Sequence, residues 1–141
     1  MKKQFSNKWK GSKQPRKKRK YMAKAPQHIK IKFMGANLSK ELRQKYGRRS
    51  VIVRKGDKVK VMRGGFKKKE GKVTNVFMKL GKITIEGIQR KKIDGSKVDI
   101  KISPSKVKIM DLNLDDKNRS KMFKKETNIN QDKKEKMENK K

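Results

Sequence analysis

Residues 55–87, KGDKVKVMRGGFKKKEGKVTNVFMKLGKITIEG, carry the clearest structural pattern in the chain. Val59 and Val61 alternate with lysines, and Ile83 and Ile85 alternate with polar residues. A period of two is typical of strands that bury one face and leave the other exposed. The stretch therefore predicts three short strands joined by turns that contain glycine.

The loop between the first two of these strands, Arg63–Gly71, combines glycines with four positive charges and one aromatic ring. Glycine lets a backbone approach a phosphate closely and offer its N–H groups. Arginine binds phosphate through two N–H groups, lysines add point charges, and an aromatic ring can stack on a base. We predict that the loop binds a phosphate backbone; the alternative is a solvated loop kept basic for solubility. Its candidate binding residues are Arg63, Gly64, Phe66, Lys67, Lys68, Lys69 and Gly71.

The charge of the whole chain indicates a polyanionic partner. Its 141 residues include 46 Lys and Arg against 13 Asp and Glu, a formal net charge of +33. Self-repulsion of this size disfavours a compact state, and a bound polyanion would relieve it. Nucleic acid is the favoured partner, and an anionic membrane surface is the alternative. Since only 30% of the residues are hydrophobic, we expect one small domain with charged extensions.

Several classes of site are excluded by residue content. The chain has no cysteine and one histidine, His28, which rules out disulfides and an ordinary zinc site. A P-loop is rejected because Gly65 and Gly71 are one residue too far apart and Val73 replaces the magnesium-binding Ser or Thr. No nucleophile, acid or base accompanies His28, so we predict no enzyme, cofactor or metal site. The lack of a long apolar run predicts a cytosolic chain without a membrane span.

Residues 1–24 are predicted to form a basic arm. They contain no acidic residue, and Phe5, Trp9 and Tyr21 are interleaved with the positive charges. Such a segment should be disordered alone and ordered against nucleic acid, where the aromatic rings could stack beside phosphate contacts. The alternative is a solvated basic tail. The densest charges of the arm are Arg16, Lys17, Lys18, Arg19 and Lys20.

Residues 25–50 are predicted to hold an extended piece and a short helix that docks on the domain. The alternation of Ile29, Ile31 and Phe33 indicates the extended piece. Ser39 is a suitable N-cap and Gly47 a suitable C-cap for a helix over residues 40–46. The apolar stripe of this helix would consist of Leu38, Leu42 and Tyr46, which recur every four residues.

Residues 51–114 hold the remaining strand pattern. Asp94-Gly95 is a strong hairpin signal. The other alternating apolar positions are Val51, Val53, Val98, Ile100, Ile102, Val107 and Ile109. Five or six short strands without helices between them predict a mainly β fold built as a small antiparallel barrel. Residues 115–141 have mixed charge and little to bury, so we expect a disordered, solvated C-terminal tail. The alternative from about Ser120 onward is a transient helix with opposite charges one turn apart.

Several motifs together resemble one protein family. The residues Gly56-Asp57, Val59, Val61, Gly64, Lys67 and Gly71-Lys72-Val73 resemble a KOW motif, which occurs in RNA-contacting SH3-like barrels. Further matches are Ala25-Pro26-x-His28, LSKELRQKYGRRS at 38–50, VRKGDKVKVMRG at 53–64, IEG at 85–87, RKK at 90–92 and Pro104-Ser105. Over about residues 25–116 the chain resembles the archaeal and eukaryotic-type KOW-containing large-subunit ribosomal proteins, universal family twenty-four (twenty-six in the eukaryotic scheme).

This resemblance implies a structural constituent of the large ribosomal subunit. Such a protein would bind 23S-type rRNA near its 5′ end, join early in assembly and lie near the polypeptide exit tunnel. The implied partners are large-subunit rRNA and neighbouring ribosomal proteins, with no membrane contact, no homo-oligomer and a cytoplasmic, ribosome-bound location. Beyond the loop, the predicted rRNA-binding residues are Arg16, Lys17, Lys18, Arg19, Lys20, His28, Arg43, Arg48, Arg49, Arg54, Lys55, Arg90, Lys91 and Lys92.

Two other functions stay open, and two residues depart from the family. An architectural protein would bind duplex DNA, and a KOW-type transcription elongation factor would act on RNA polymerase but normally carries another domain.

Lys68 stands where the family usually has glycine, which predicts a stiffer loop that binds phosphate more strongly. Ile52 stands where the family usually has proline, which predicts a different pairing of the lead-in strand.

Overall fold

The computed structural model describes residues 5–6 and 11–123. The helices are α1 (Pro15–Lys24), α2 (Gln27–Lys32) and α3 (Lys40–Tyr46), and residues 117–123 are also helical. The strands are β1 (Gly35–Leu38), β2 (Ser50–Ile52), β3 (Lys58–Val61), β4 (Glu70–Phe77), β5 (Lys82–Ile85), β6 (Gln89–Lys91), β7 (Lys97–Asp99) and β8 (Val107–Asp111), the last preceded by a 3-10 turn at Pro104–Lys106. Trp9 and the tail beyond residue 123 lie outside the described residues.

A six-stranded sheet forms a small barrel-like body, which confirms the predicted mainly β fold. Its strand order is β2-β1-β8-β3-β4-β5. The pairs are antiparallel except β1–β8, which is parallel. The three strands predicted within residues 55–87 are β3, β4 and β5. Strand β1 was not predicted, because its sequence GANL has too little alternation to mark a strand.

The core is formed by the alternating residues of these strands. Val59, Ile83 and Ile109 have no exposed surface, and Val61 and Ile85 are 1% exposed. On β3 and β8 the lysines between these residues are exposed or half-buried, as the period of two requires, whereas Thr84 between Ile83 and Ile85 is also buried. The positions of the barrel strands other than β1 therefore follow from the hydrophobic pattern.

Helix α3 confirms the predicted caps and docking stripe. The Ser39 side chain accepts a hydrogen bond from the Leu42 N–H at 3.2 Å, which satisfies one unpaired donor of the first turn. Gly47 ends the helix with φ 65°, in the left-handed region that glycine adopts without strain. Leu38 and Tyr46 are buried and Leu42 is partly buried against the core.

The extended piece predicted for residues 25–33 is wrong, because α2 occupies most of it. Pro26 forms the N-cap with φ −65°, and the chain turns helical at the next residue. The alternation of apolar residues did not reflect a buried strand face, since Ile31 and Phe33 are 37% and 39% exposed. Phe33 instead lies beside Tyr21, with ring centroids 6.2 Å apart.

Strands β6 and β7 form a separate two-stranded hairpin outside the barrel sheet. The predicted turn at Asp94-Gly95 is present: Asp94 accepts two hydrogen bonds from Ser96, and Gly95 has φ 84°. The hairpin does not extend the core as the alternation of Val98, Ile100 and Ile102 predicted. Val98 is 42% exposed, whereas Ile100 is partly buried against the core and Ile102 bridges Ile83 of the barrel.

Residues 115–123 differ from the solvated tail that the sequence predicted. Phe123 is buried and stacks near Tyr46, with ring centroids 4.7 Å apart. Arg119 is 3% exposed and forms an ion pair with Asp57. The predicted boundary at residue 114 therefore separates two parts of the chain that pack together.

Within the described residues, no helix is long and apolar enough to cross a membrane. The same residues contain no group of three metal-ligating side chains that could hold an ion.

Candidate nucleic-acid interface

The loop between β3 and β4, residues 62–69, is held by its own backbone hydrogen bonds. The Lys68 N–H donates to the Val61 carbonyl at 2.8 Å, and the Val61 N–H donates to the Lys69 carbonyl at the same distance. A further bond of 3.0 Å joins the Lys67 N–H to the Gly64 carbonyl. Because the backbone is fixed in this way, its four basic side chains project from a defined frame rather than from a flexible segment.

Lys68 has φ 73° and is the one non-glycine residue with positive φ in the part of the chain that the structure describes. The left-handed region costs an ordinary L-residue about 1–2 kcal/mol because its Cβ approaches a carbonyl. A glycine would adopt this conformation without that cost. The departure noted in the sequence therefore puts a positive charge at a strained position of the loop.

The three glycines of this loop have different structural roles. A Cβ on Gly64 or Gly65 would meet no atom within 4 Å, so the backbone there is open to a ligand. A Cβ on Gly71 would lie 2.6 Å from the Glu86 carbonyl oxygen and 2.9 Å from an Ile85 methyl. Gly71 thus permits close approach of β4 and β5, and that packing explains the glycine without a ligand.

Phe66 lies partly buried against the hydrophobic core, with the Lys69 ammonium 5.4 Å from its ring centroid. Both contacts fix the ring in place. The exposed part of the ring borders a cavity of about 170 Å³ next to the open glycines. Phe66 is therefore placed where a flat ligand could contact it.

Three cations that the sequence prediction missed line the same cavity. They are Lys82 at the start of β5, Lys101 after the hairpin and Lys106 in the 3-10 turn. The antiparallel bridge between Ile83 and Ile102 places the segments that carry Lys82 and Lys101 side by side. These three lysines are widely separated in the sequence and form no cluster there. Only the tertiary pairing of β5 with the segment after β7 reveals the group.

The predicted basic residues of the N-terminal part lie on three elements. Residues 16–20 are exposed on α1, and His28 is exposed on α2. Arg43 on α3 donates its Nε–H to the Leu38 carbonyl at 2.9 Å, so part of its guanidinium serves the fold. Arg49 is exposed after α3, and Arg48 is half-buried.

The remaining predicted cations lie in a turn and on the hairpin. Arg54 forms an ion pair with Asp116, whose pKa is held below its ordinary value mainly by the hydrogen bond from this guanidinium. Lys55 is exposed in the turn before β3. Arg90, Lys91 and Lys92 are all exposed along and just after β6. The structure thus places the predicted residues in several separate clusters rather than in one pocket.

Comparison with known proteins identifies similar sequences over most of the chain. A family model that describes the eukaryotic ribosomal proteins L26 and their archaeal L24 counterparts matches residues 12–126. The large ribosomal subunit protein uL24 of Methanosarcina barkeri is 49% identical over 114 residues, which is 81% of this chain and 98% of that protein. The large ribosomal subunit protein uL24 of Korarchaeum cryptofilum is 47% identical over 112 residues, 79% of this chain and 86% of that protein.

Proposed function

Because this chain belongs to the family of eukaryotic L26 and archaeal L24 ribosomal proteins, we propose that it binds large-subunit rRNA. It is a structural, non-enzymatic constituent of the large ribosomal subunit. Its RNA target is the region near the 5′ end of the 23S-type rRNA. It joins the subunit early in assembly, comes to lie near the polypeptide exit tunnel with neighbouring ribosomal proteins, and is cytoplasmic and ribosome-bound.

The observation that carries RNA binding is the loop of residues 62–69. Arg63, Lys67, Lys68 and Lys69 are exposed on a backbone fixed by hydrogen bonds. The ion pairs found among the described residues involve the cations Arg54, Lys60 and Arg119. The four basic side chains of the loop are therefore not neutralised by carboxylates of the described part of the chain. Exposed cations on a fixed frame can match the spacing of phosphates without paying the full entropy of ordering a flexible loop.

Recognition is mainly of RNA shape and backbone. Side chains cannot enter the deep, narrow major groove of A-form RNA, so phosphates and unpaired nucleotides are the accessible targets. The basic residues on α1 and on the β6–β7 hairpin extend the contact to other RNA segments. If about ten phosphates are contacted, affinity should fall by roughly four to five decades between 50 and 200 mM salt.

Competition binding tests the proposal against the DNA-directed and polymerase-directed alternatives. A folded fragment from the 5′ region of large-subunit rRNA and a duplex DNA of equal length are compared at near-physiological salt. We expect the rRNA fragment to bind much more tightly. Equal affinity for both nucleic acids would reject the ribosomal role in favour of an architectural one. Cosedimentation with the large subunit after a high-salt wash tests the same proposal in cells.

A further inference from the structure

We propose that the cavity beside the loop of residues 62–69 binds one unpaired nucleotide of RNA, with the base on an apolar floor and the phosphate on the surrounding cations. This inference rests on the proposed function and specifies one contact within it. The cavity holds about 170 Å³ and is lined by parts of the loop, β5, the segment after β7 and the 3-10 turn. We call it the loop cavity.

The floor of the loop cavity is apolar and suits a flat ring. It is lined by Val61, Phe66, Ile100 and Ile102, of which Phe66 and Ile100 are partly exposed. An apolar cavity of roughly 150 Å³ is known to hold a single benzene ring. The volume of the loop cavity is therefore large enough for the six-membered ring of a base.

The rim of the loop cavity is cationic. Arg63, Lys82, Lys101 and Lys106 all line it, and it has no acidic lining residue among the described residues. The Lys101 ammonium is held 5.0 Å from the centroid of the Phe77 ring, which limits its freedom before any ligand binds. Ser103 adds a hydroxyl, and the open backbone at Gly64 and Gly65 lets a phosphate approach closely.

The combination of floor and rim selects an unpaired nucleotide over other ligands. A paired base presents only its edge, so it cannot lie on the apolar floor, whereas a splayed base can stack on an aromatic ring. An apolar peptide would leave four cations without partners, and desolvating such charges is unfavourable. A nucleotide supplies both an apolar ring face and an anion within a few ångströms of each other.

Photo-crosslinking locates the base directly. The probe is an RNA hairpin with one bulged 4-thiouridine, and the control is the same hairpin with that 4-thiouridine paired. Irradiation of complexes with the full chain should attach the bulged base to peptides spanning residues 61–66 or 100–106. The paired control should give little product at those positions. Crosslinks from the bulged base confined to other parts of the chain would overturn the inference.

A pair of double variants separates the loop cavity from general phosphate binding. Lys101→Gln with Lys106→Gln should weaken binding of the bulged hairpin about tenfold more than that of the paired hairpin, since each charged contact contributes strongly. Lys67→Gln with Lys68→Gln removes the same charge at residues that neither line the loop cavity nor contact the Phe66 ring, and should weaken both hairpins alike. All four lysines are exposed, and circular dichroism checks that both variants fold.

The outcomes distinguish this inference from the function on which it rests. If Lys101→Gln with Lys106→Gln weakens both hairpins equally, the loop cavity binds backbone only and the inference fails while RNA binding stands. If the unaltered chain prefers neither RNA hairpin over duplex DNA, the proposed function itself fails.

Discussion

The carboxylate of Asp57 and the guanidinium of Arg119 form a buried ion pair between residues that are 62 positions apart in the sequence. Two hydrogen bonds of 2.5 and 2.9 Å join them. The same carboxylate accepts the backbone N–H of Arg54 at 2.8 Å and that of Asn113 at 3.0 Å. Asp57 therefore organises the turn before β3 and fastens the C-terminal segment to the barrel.

Replacement of Arg119 by methionine should strongly destabilise the fold. It would leave the Asp57 carboxylate buried without its cation, and breaking a buried pair on one side typically costs about 3–5 kcal/mol. Urea unfolding of the full chain measures the change. The matched control is Lys60→Met, which breaks the exposed pair with Glu70 and should change stability little. Equal effects of the two variants would contradict the structural role of Arg119.

The Asp57–Arg119 pair also shows what sequence analysis could not provide. Helix α3 and the strands other than β1 were predictable because alternation, caps and turn residues are local signals. The pairing of Asp57 with Arg119 depends on tertiary proximity, so Arg119 had no local signal to distinguish it from other cations of a highly basic chain.

The candidate site was predictable to a similar extent. The basic loop was recognised from its composition, but two details required the structure. Gly71, predicted as a ligand-binding glycine, is needed for the close approach of Glu86. Lys82, Lys101 and Lys106 line one cavity because the fold brings β5, the segment after β7 and the 3-10 turn together. Helix α2 was missed because its apolar residues alternate as in a strand.

Lys68→Gly should stabilise the protein. Lys68 has φ 73°, and removal of its Cβ relieves a cost of about 1–2 kcal/mol, partly offset by the greater entropy of glycine in the unfolded chain. We expect a net gain of about 0.5–1 kcal/mol in a thermal or urea unfolding measurement. Lys67→Gly removes the same charge at a position without positive φ and should lower stability. Stabilisation by both variants would indicate charge relief rather than backbone strain.

The basic loop should contribute measurably to the salt dependence of RNA binding. Replacing Lys67, Lys68 and Lys69 with alanine removes up to three phosphate contacts and should reduce the slope of log affinity against log salt by about two to three. Filter binding to the rRNA fragment at several salt concentrations measures the slope. The control variant replaces Lys133, Lys134 and Lys136 with alanine, which removes the same charge elsewhere in the chain. An unchanged slope in the loop variant would mean that the loop faces solvent.

The pKa of Glu70 should depend on one neighbour. The Lys60 ammonium donates to its carboxylate at 2.8 Å and holds the pKa of Glu70 below its ordinary value. In Lys60→Met the pKa of Glu70 should rise towards its ordinary value, while the pKa of Asp94, which is lowered mainly by the Ser96 hydroxyl, should not change.

The sign of the linked stability effect follows from the lowered pKa of Glu70. The contribution of its ion pair is present above the ordinary carboxyl pKa and is lost as the pH falls through the folded-state pKa. Carboxyl NMR titration of both proteins measures the two groups separately. An unchanged Glu70 pKa in Lys60→Met would show that the pair does not persist in solution.

Deletion of residues 1–24 should leave the barrel folded but reduce its incorporation into large subunits. Helix α1 has no buried residue. It contacts the rest of the fold through the ring of Tyr21, which lies beside the ring of Phe33. Arg16 and Lys20 are four residues apart, and like charges at this spacing disfavour an isolated helix. The basic helix therefore gains most from a polyanion, which neutralises the repulsion between its side chains.

Two measurements on this deletion variant separate folding from assembly. Because α1 contains no buried residue, the deletion should change the free energy of unfolding by no more than about 0.5 kcal/mol, whereas sedimentation of tagged protein with large subunits should fall clearly. The full-length control replaces residues 16–20 with alanine, which keeps the chain but removes five charges, and it should show the same loss of incorporation. Unfolding of the deletion variant would place the domain boundary before residue 24, and normal incorporation of both variants would make the arm a solvated tail.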